Sequence, residues 1–502
     1  MLNDYTHKWR AFTGIALLSF GCYLDYTVVN VALPTIQREL QTTLTQLQWV
    51  MNIYFLALCI LATIMGRCGD LFGRRRMLYL GVSIFAFASL LAGASTNINW
   101  LIFGRLLQGV GAAIVFPLGP SLLPGAFPEK ERGKAIAWLG SIGGIALALG
   151  PVLGGVIVAH WGWRWIFFIN IPIVLLGYLF SRKSVNESTA KQISRELDWA
   201  GMLLLTLAMG GIVMSLIQSQ TSSWLDLATL TYLVIGIAAS AALVQVERNK
   251  TNPLIDFKDF TNSIFYAGAA LCFLAGVLSA VALFFDPLYL QVIREQSPEF
   301  SGLVLFSIPI AVFMVTFVVG WLILQLGIIN TVIIGIVLAV LSCLLQIFFT
   351  TFTPLWYIVM SFICLGSMWA MGNTVPIIAA QTAVGSSRSS VATGTMITMF
   401  NVGGSIGLAI AVVIYNHIGS KALKLISQAQ PTQLNVDQFS QLKGLISNPA
   451  QSLQTSMSTQ IHVFFNDVFM KGFAGVMWFL LLTSIIILLS VLASKLTTKK
   501  IS

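Results

Sequence analysis

The chain has 502 residues, of which 57% are hydrophobic and 9% charged. Soluble domains carry roughly 25% charged residues, and a soluble fold of this composition would expose far too much apolar surface. The formal charge of +10 would suit a nucleic-acid binder, but the basic residues alternate with loop parity instead of clustering, so the chain reads as an all-α membrane protein with no nucleic-acid partner.

A membrane span needs about 20 mainly apolar residues. Such stretches fall near 11–33, 46–66, 77–94, 98–120, 134–158 and 165–181, then 199–218 and 225–246. The last six fall near 264–286, 302–322, 329–350, 354–374, 390–415 and 471–494, which makes 14 transmembrane helices. The opening MLNDYTHKWR lacks a short apolar core and a small-residue cleavage site, so the first stretch reads as a retained span. Residues 1–198 are expected to form one six-helix bundle, 199–263 two linking spans between the loops 182–198 and 247–263, and 264–502 a second six-helix bundle. An external loop at 416–470 keeps apolar spacing in LKLI and LKGLI, which predicts short surface helices.

Twenty of the 28 Lys and Arg residues fall in loops of one parity, among them Arg74, Arg75, Arg76, Lys130, Lys191, Arg195, Lys250 and Arg388; seven fall in the other. The positive-inside rule then places both termini in the cytoplasm, as an even number of spans requires. Arg105 is left inside a span.

In chain order, the first polar signal is Asp25, an acid in an apolar helix. Acids within the membrane are costly and are functional candidates by default. Asp25 lies eight residues before Leu33, about 12 Å from the expected outer end. Arg105 lies seven residues into the fourth span, at about 10 Å, and keeps its charge at all working pH values. Two opposite charges at matching depth suggest proton coupling, in which Asp25 takes a proton facing outward and releases it inward. The bland alternatives are a permanent ion pair that fixes packing and, for Arg105, a group bonded to backbone carbonyls.

Between the second and third spans lies the loop Gly66–Arg76, with Asp70, Gly73 and a run of arginines. Anchoring on the cytoplasmic side accounts for Arg75 and Arg76, while Asp70 and the glycines suit a tight turn. The fifth span carries Gly140, Gly143, Gly144, Gly150, Gly154 and Gly155, a spacing that lets backbones approach closely, and Pro151, which removes a backbone bond. Tyr26, Trp49, Tyr54, Trp138, Trp369, Met396, Met399 and Asn401 are candidate walls of a central cavity, since aromatic and Met surfaces bind varied lipophilic ligands and cations; packing is the alternative for each. Five of the six cysteines lie in apolar segments and Cys68 in the loop; none forms a CxxC pair, and all read as small packing residues. The four histidines (His7, His160, His417, His462) fall in tails or external loops without a metal-site partner. No Walker motif, nucleotide fold or catalytic triad is present, so neither a cofactor, a bound metal, ATP-driven transport nor an enzymatic activity is expected.

These motifs together resemble the major facilitator superfamily, and more narrowly its 14-helix drug:proton antiporter branch, which includes quaternary-ammonium and multidrug efflux pumps. Gly66–Arg76 matches the GxxxDxxGRRR signature, and Leu24–Pro34 (LDYTVVNVALP) matches LDxTIVNVALP. Gly104–Gly111 (GRLLQGVG) matches the helix 4 signature, and Gly140–Gly155 the antiporter signature of helix 5. Trp49, Val50 and Tyr54 match helix 2, and Pro287–Gln291 (PLYLQ) the end of helix 9. The resemblance covers nearly the whole chain. It implies two six-helix bundles, a substrate site near the midplane between them, and alternating access by rocking. It implies proton-coupled efflux of lipophilic small molecules, cationic ones among them, across a bacterial cytoplasmic membrane by a protein expected to be a monomer. Gly66, Asp70, Gly73, Arg74, Gly150, Pro151, Gly154 and Gly155 then belong to a conformational switch, and Asp70 and Arg74 to a charge network reaching the opposite half.

Two positions depart from the family. Asp286 replaces an apolar residue before PLYLQ, near the outer end of helix 9, and stands open between attracting cationic substrates and being a solvated helix-end acid. Gly320–Gly327 (GWLILQLG), where a degenerate basic loop is common, has neither acid nor base, so a symmetric charge latch is not expected. A dedicated metabolite or siderophore exporter is an alternative reading, and a non-transporting sensor or scaffold is another, disfavoured because a scaffold has no need of a buried acid.

Overall fold

A computed structural model describes residues 7–42, 44–188, 198–222, 225–250, 253, 257–384, 389–429, 436–447 and 459–501. Among these there are α-helices and no strand. They are α1 (Lys8–Glu39), α2 (Leu44–Phe72), α3 (Arg74–Gly93), α4 (Ile98–Ala126), α5 (Glu129–Trp161), α6 (Trp165–Phe168), α7 (Asn170–Ser181), α8 (Trp199–Thr221) and α9 (Leu227–Arg248). There follow α10 (Ser263–Leu288), α11 (Pro298–Leu305), α12 (Ser307–Leu326), α13 (Ile328–Ile347), α14 (Leu355–Val384), α15 (Ser389–Ala429), α16 (Val436–Ser447) and α17 (Thr459–Ile501). Hydrocarbon offers no partner to a backbone N–H or C=O, so a spanning segment satisfies both internally. That constraint, with the apolar runs, makes this a multi-pass membrane protein.

Twelve of the described helices are long and apolar enough to cross a bilayer. A further pair, Trp49–Ala62 with Ile64–Phe72 in α2, passes the same test together with a 49° bend between its parts. The stretch expected as one span at 165–181 is a shorter apolar piece, interrupted at Ile169 between α6 and α7.

Several boundaries shift from the sequence expectation. The loop Gly66–Arg76 is helical except at Gly73, whose φ of +106° breaks α2 from α3. Cys68 is therefore a buried residue of α2, not a loop residue. α1 continues to Glu39, so Asp25 sits 14 residues before its end, about 21 Å, close to mid-helix. Much of the external loop 416–470 extends α15 and α17, with α16 between them. His160 consequently lies in the last turn of α5, and His417 and His462 on α15 and α17. Lys191, Arg195 and Arg388 lie outside the described residues.

The packing repeats. α1 lies against α4, α5 and α7, and α4 also against α2 and α3; likewise α10 lies against α14, α15 and α17, and α14 also against α12 and α13. The two sets meet where α2 crosses α15 and α5 crosses α12 and α14. α8 touches both α2 and α15, and α9 packs on α8. Ile64 and Cys68 of α2 bury with Leu205 of α8 and Leu243 of α9, so α8 bridges the two sets at the C-terminal end of α2.

Candidate functional site

Asp25 and Arg105 are in direct contact, and both side chains are fully sealed, at 0% exposure. Arg105 Nη1 donates to Asp25 Oδ2. The other carboxylate oxygen accepts from Gln108 Nε2 at 3.0 Å and from Asn170 Nδ2 at 2.7 Å. Gln108 is shared further: its Oε1 accepts from Arg105 Nη1 at 3.0 Å, and its Nε2 donates to Ser89 Oγ at 2.9 Å. Arg105 Nε donates to the carbonyl of Val50 at 3.0 Å, and the guanidinium stacks 4.3 Å from the ring centre of Tyr54. The Tyr54 hydroxyl donates to the carbonyl of Cys22. One site thus draws on α1, α2, α3, α4 and α7.

A charge pair in so dry a place is stable only if its remaining donors and acceptors are also met. Three donors on one carboxylate meet most of that requirement. Two polar atoms of the cluster, Arg105 Nη2 and Asn170 Oδ1, find no hydrogen-bond partner among the described residues. The cluster is chemically able to hold a carboxylate, and protonation of Asp25 would replace an acceptor with a donor facing three donors. Sequence reasoning passed over Ser89, Gln108 and Asn170. The available signal was an amide inside an apolar stretch, at Gln108 and at Asn170.

The glycines of α5 divide between two faces. A Cβ on Gly150 would collide with the Thr27 hydroxyl, and one on Gly154 would lie 2.8 Å from the Val28 carbonyl, both on α1. Gly143 faces the Tyr23 ring. Gly144 faces Val312 of α12, and a Cβ on Gly140 would lie 3.2 Å from Thr374 Oγ1 of α14. Gly155 has ordinary contact with Val31. Pro151 has no N–H to give to the carbonyl of Leu147 four residues back. The Thr27 hydroxyl donates to that carbonyl instead, at 2.6 Å. Gly150 therefore makes the room and Pro151 frees the acceptor that Thr27 occupies. α5 remains one helix through the proline.

At the α2–α3 break, Arg74 pairs with Asp70 at 2.8 Å, and Gly66 is buried within α2. Glu187 accepts from the backbone N–H groups of Arg75 at 3.0 Å and Arg76 at 3.2 Å. This caps the N-terminus of α3 with an anion, as the helix dipole favours. Arg75 also donates to the carbonyl of Arg182. The partners shown for Arg74, Arg75 and Arg76 come from Asp70 and from the segment 182–188 that follows α7. Gly327, at φ +79°, occupies the corresponding break between α12 and α13 without any charge.

The candidate cavity residues are not gathered into one wall. Tyr54 lies under Arg105, and Tyr26 packs 4.5 Å from the Phe55 ring. Trp138 stacks on Trp9 near the N-terminal end of α5, with Lys134 over its ring. Trp49 is half-buried near the start of α2. Met396 is buried beside Cys272, whose thiol meets its carbonyl. Asn401 donates to the Ile397 carbonyl while its Oδ1 has no hydrogen-bond partner among the described residues. Trp369 Nε1 and Thr374 Oγ1 share that condition. These three buried polar atoms sit on α14 and α15, the helices that meet α5 and α2. Asp286 is fully buried, not solvated, because α10 continues past it into a π-helical turn, Tyr289–Ile293.

A sequence model of the Major Facilitator Superfamily matches residues 15–408. The multidrug resistance protein Stp of Mycobacterium tuberculosis is 33% identical over 401 residues, covering 79% of this chain and 74% of its own. The tetracenomycin C resistance and export protein of Streptomyces glaucescens is 30% identical over 411 residues, covering 81% and 76%. A bacterial homolog of the human lysosomal transporter Spinster, solved inward-facing and unoccupied, shares the fold at a TM-score of 0.59 and 14% identity, covering 97% of each chain.

Proposed function

Because the chain belongs to the major facilitator superfamily, a family of transporters and not enzymes, we propose that it exports lipophilic small molecules, cations among them, from the cytoplasm in exchange for protons. The observation that carries this reading is the sealed Asp25–Arg105 pair with its amide donors. A carboxylate held only by neutral amides and one arginine is poised between two states. As the carboxylate it locks α1 to α4 and α7; once protonated it loses the charge that holds Arg105, and the helices are free to part. Coupling follows if that parting opens the site to one side of the membrane at a time. The Thr27–Leu147 bond ties α5, which bears on both helix sets, to the same stretch of α1.

The direction of transport rests on the relatives, whose names speak of resistance and export. The substrate's polar groups would meet Trp369, Thr374 and Asn401, whose free atoms lie where the two helix sets meet. Tyr26, Trp49, Trp138 and Met396 bound the path above and below. Gly66, Asp70, Gly73 and Arg74 act as a latch on the inner face, and Gly150, Pro151, Gly154 and Gly155 as a close-packed pivot. Counting α2 and the broken α6–α7 stretch as spans gives 14, in two six-helix bundles joined by α8 and α9, with boundaries at 198 and 263. An even count and the charge bias then place both termini in the cytoplasm of a bacterium. The protein acts as a monomer in the inner membrane and binds no nucleic acid.

The test uses inverted vesicles with a preset acid interior and a panel of lipophilic cations, ethidium among them. Substrate addition should discharge the pH gradient in wild-type vesicles and not in vesicles of Asp25→Asn. A single accepted compound would favour a dedicated metabolite exporter, and no flux for any compound would sink the transport reading.

A further inference from the structure

Asp286 is a second acid in the membrane, and nothing in the mechanism above uses it. Its side chain is fully buried, and neither carboxylate oxygen has a hydrogen-bond partner among the described residues. No Lys, Arg or His among them forms an ion pair with it. An ionised carboxylate sealed without a cation or a donor costs several kcal/mol. A neutral acid in the same place leaves a donor and an acceptor unmet, a far smaller loss.

The repeated packing explains why the partners are missing. α1 and α10 open the two helix sets and lie against α4 and α14 respectively. Arg105 and Gln108 stand at the same distances from the start of α4 as Phe362 and Leu365 from the start of α14. Ser89 of α3 corresponds in the same way to Cys343 of α13. Phe362, Leu365 and Cys343 are buried. By the same count Asp25 corresponds to Ala280, so Asp286 lies six residues further along α10, and the positions that match the donors of Asp25 hold apolar groups and a thiol.

The groups around Asp286 are few. Cys343 of α13 and Tyr289 of the following turn lie within electrostatic reach. α15 brings Tyr415, whose ring packs on the adjacent Phe285. α14 brings Cys364 and, near its start, Tyr357, whose ring packs on Phe349. Of the charged groups of α17, His462 pairs with Glu295, Asp467 with Lys471, and Lys495 donates to Asn330 of α13, while the side chains of Lys499 and Lys500 lie outside the described residues. α11 carries Glu299, whose side chain lies outside the described residues, and Asp25 of α1 is held by Arg105.

The backbone next to Asp286 is built to loosen. Pro287 follows it and leaves the carbonyl of Leu283 without its helical donor. The π-helical turn at Tyr289–Ile293 comes next; such turns recur at functional sites. The Tyr289 hydroxyl and the Arg294 guanidinium tie this turn to the carbonyls of Thr350 and Thr351. Release of those two bonds would admit water to the acid from the outer side.

We propose that Asp286 is a second proton-carrying site, belonging to the C-terminal helices and separate from Asp25. It carries a proton while sealed and loses it when the turn opens. In that role it rests on the antiport reading, adding a proton to the exchange, but the site itself is tested without any substrate. Purified protein is treated with dicyclohexylcarbodiimide, which attacks protonated carboxyls in apolar surroundings, across a pH series, and the labelled peptides are mapped by mass spectrometry. Asp286 should be labelled, and its labelling should fall as pH rises; Asp25, held as the carboxylate by three donors, should be labelled only at lower pH than Asp286. An indicator-dye titration should show Asp286→Asn binding one proton fewer than wild type. Asp286→Leu, which needs no partner, should give the same count and guards against a folding defect. Asp286 unlabelled at every pH, or an unchanged proton count in both variants, overturns the proposal. Labelling decides the site whether or not the protein proves an antiporter, so the two readings fail separately.

Discussion

Arg105→Leu should be far more damaging than the double variant Asp25→Leu/Arg105→Leu. The single change leaves the Asp25 carboxylate at 0% exposure with only Gln108 and Asn170 as donors. Removing one member of a buried pair costs about 3–5 kcal/mol. Loss of the bond to the Val50 carbonyl adds about 1–3 kcal/mol if that group finds no other partner, and loss of the Tyr54 stacking about 0.5–2 kcal/mol. Removing both charges deletes the first cost and keeps the other two. Replacing a buried pair with apolar groups is often neutral or better, so the double variant should regain most of the pairing cost. The assay is a thermodynamic cycle of four proteins unfolded in mixed micelles, read by tryptophan fluorescence. A coupling energy near the upper end of the usual range for contacting residues, about 3 kcal/mol, is expected. Additive costs within about 0.5 kcal/mol would refute the argument that the two charges depend on each other.

Thr27→Val should cost about 1–3 kcal/mol by leaving the Leu147 carbonyl unmet, whereas Thr27→Ser should be close to wild type; thermal unfolding in detergent reads both. Gly150→Leu should abolish export while the protein still reaches the membrane, because the α1–α5 contact has no space for a side chain; efflux and surface-expression assays separate the two effects. Gly73→Ala should cost about 1–3 kcal/mol, from a backbone at φ +106° that suits only glycine and a Cβ placed against the Glu187 carboxylate. At Asp198, burial works against the charge, but bonds with Glu247, Lys250 and the Gly201 N–H hold its carboxyl below the ordinary aspartate range. That contribution is full above the unfolded value and is lost as pH falls through the lower native one, so Asp198→Asn should lower the melting temperature near neutral pH by an amount that shrinks on acidification.

What the sequence carried well was whatever depends on a long run or a fixed spacing. Apolar runs placed nearly every helix because length and hydropathy alone decide whether a segment can sit in hydrocarbon. The depth argument for Asp25 and Arg105 paired residues 80 positions apart, although α1 runs further past Asp25 than expected, so their depths from the helix ends are about 21 Å and about 10 Å. Ser89, Gln108 and Asn170 were not legible because their importance comes only from which helix faces which. The Thr27–Leu147 bond was half visible: Pro151 announces a free carbonyl, but not the neighbour that takes it. Asp286 showed the opposite failure. Position near a helix end left a solvated acid open beside a cation-attracting one, and the π-helical continuation buries it. Gly327 repeats the backbone of Gly73 without its charges, as the uncharged Gly320–Gly327 segment had implied.

The central claim is that Asp25 couples substrate to protons, and reconstituted vesicles test it most directly. Wild type and Asp25→Asn are compared in two modes: accumulation of a labelled substrate driven by an imposed pH gradient, and substrate exchange at equal pH. The account predicts that Asp25→Asn keeps exchange and loses gradient-driven accumulation at least tenfold, a loss of about 1.4 kcal/mol or more in driving. Accumulation by Asp25→Asn at the wild-type rate would contradict it.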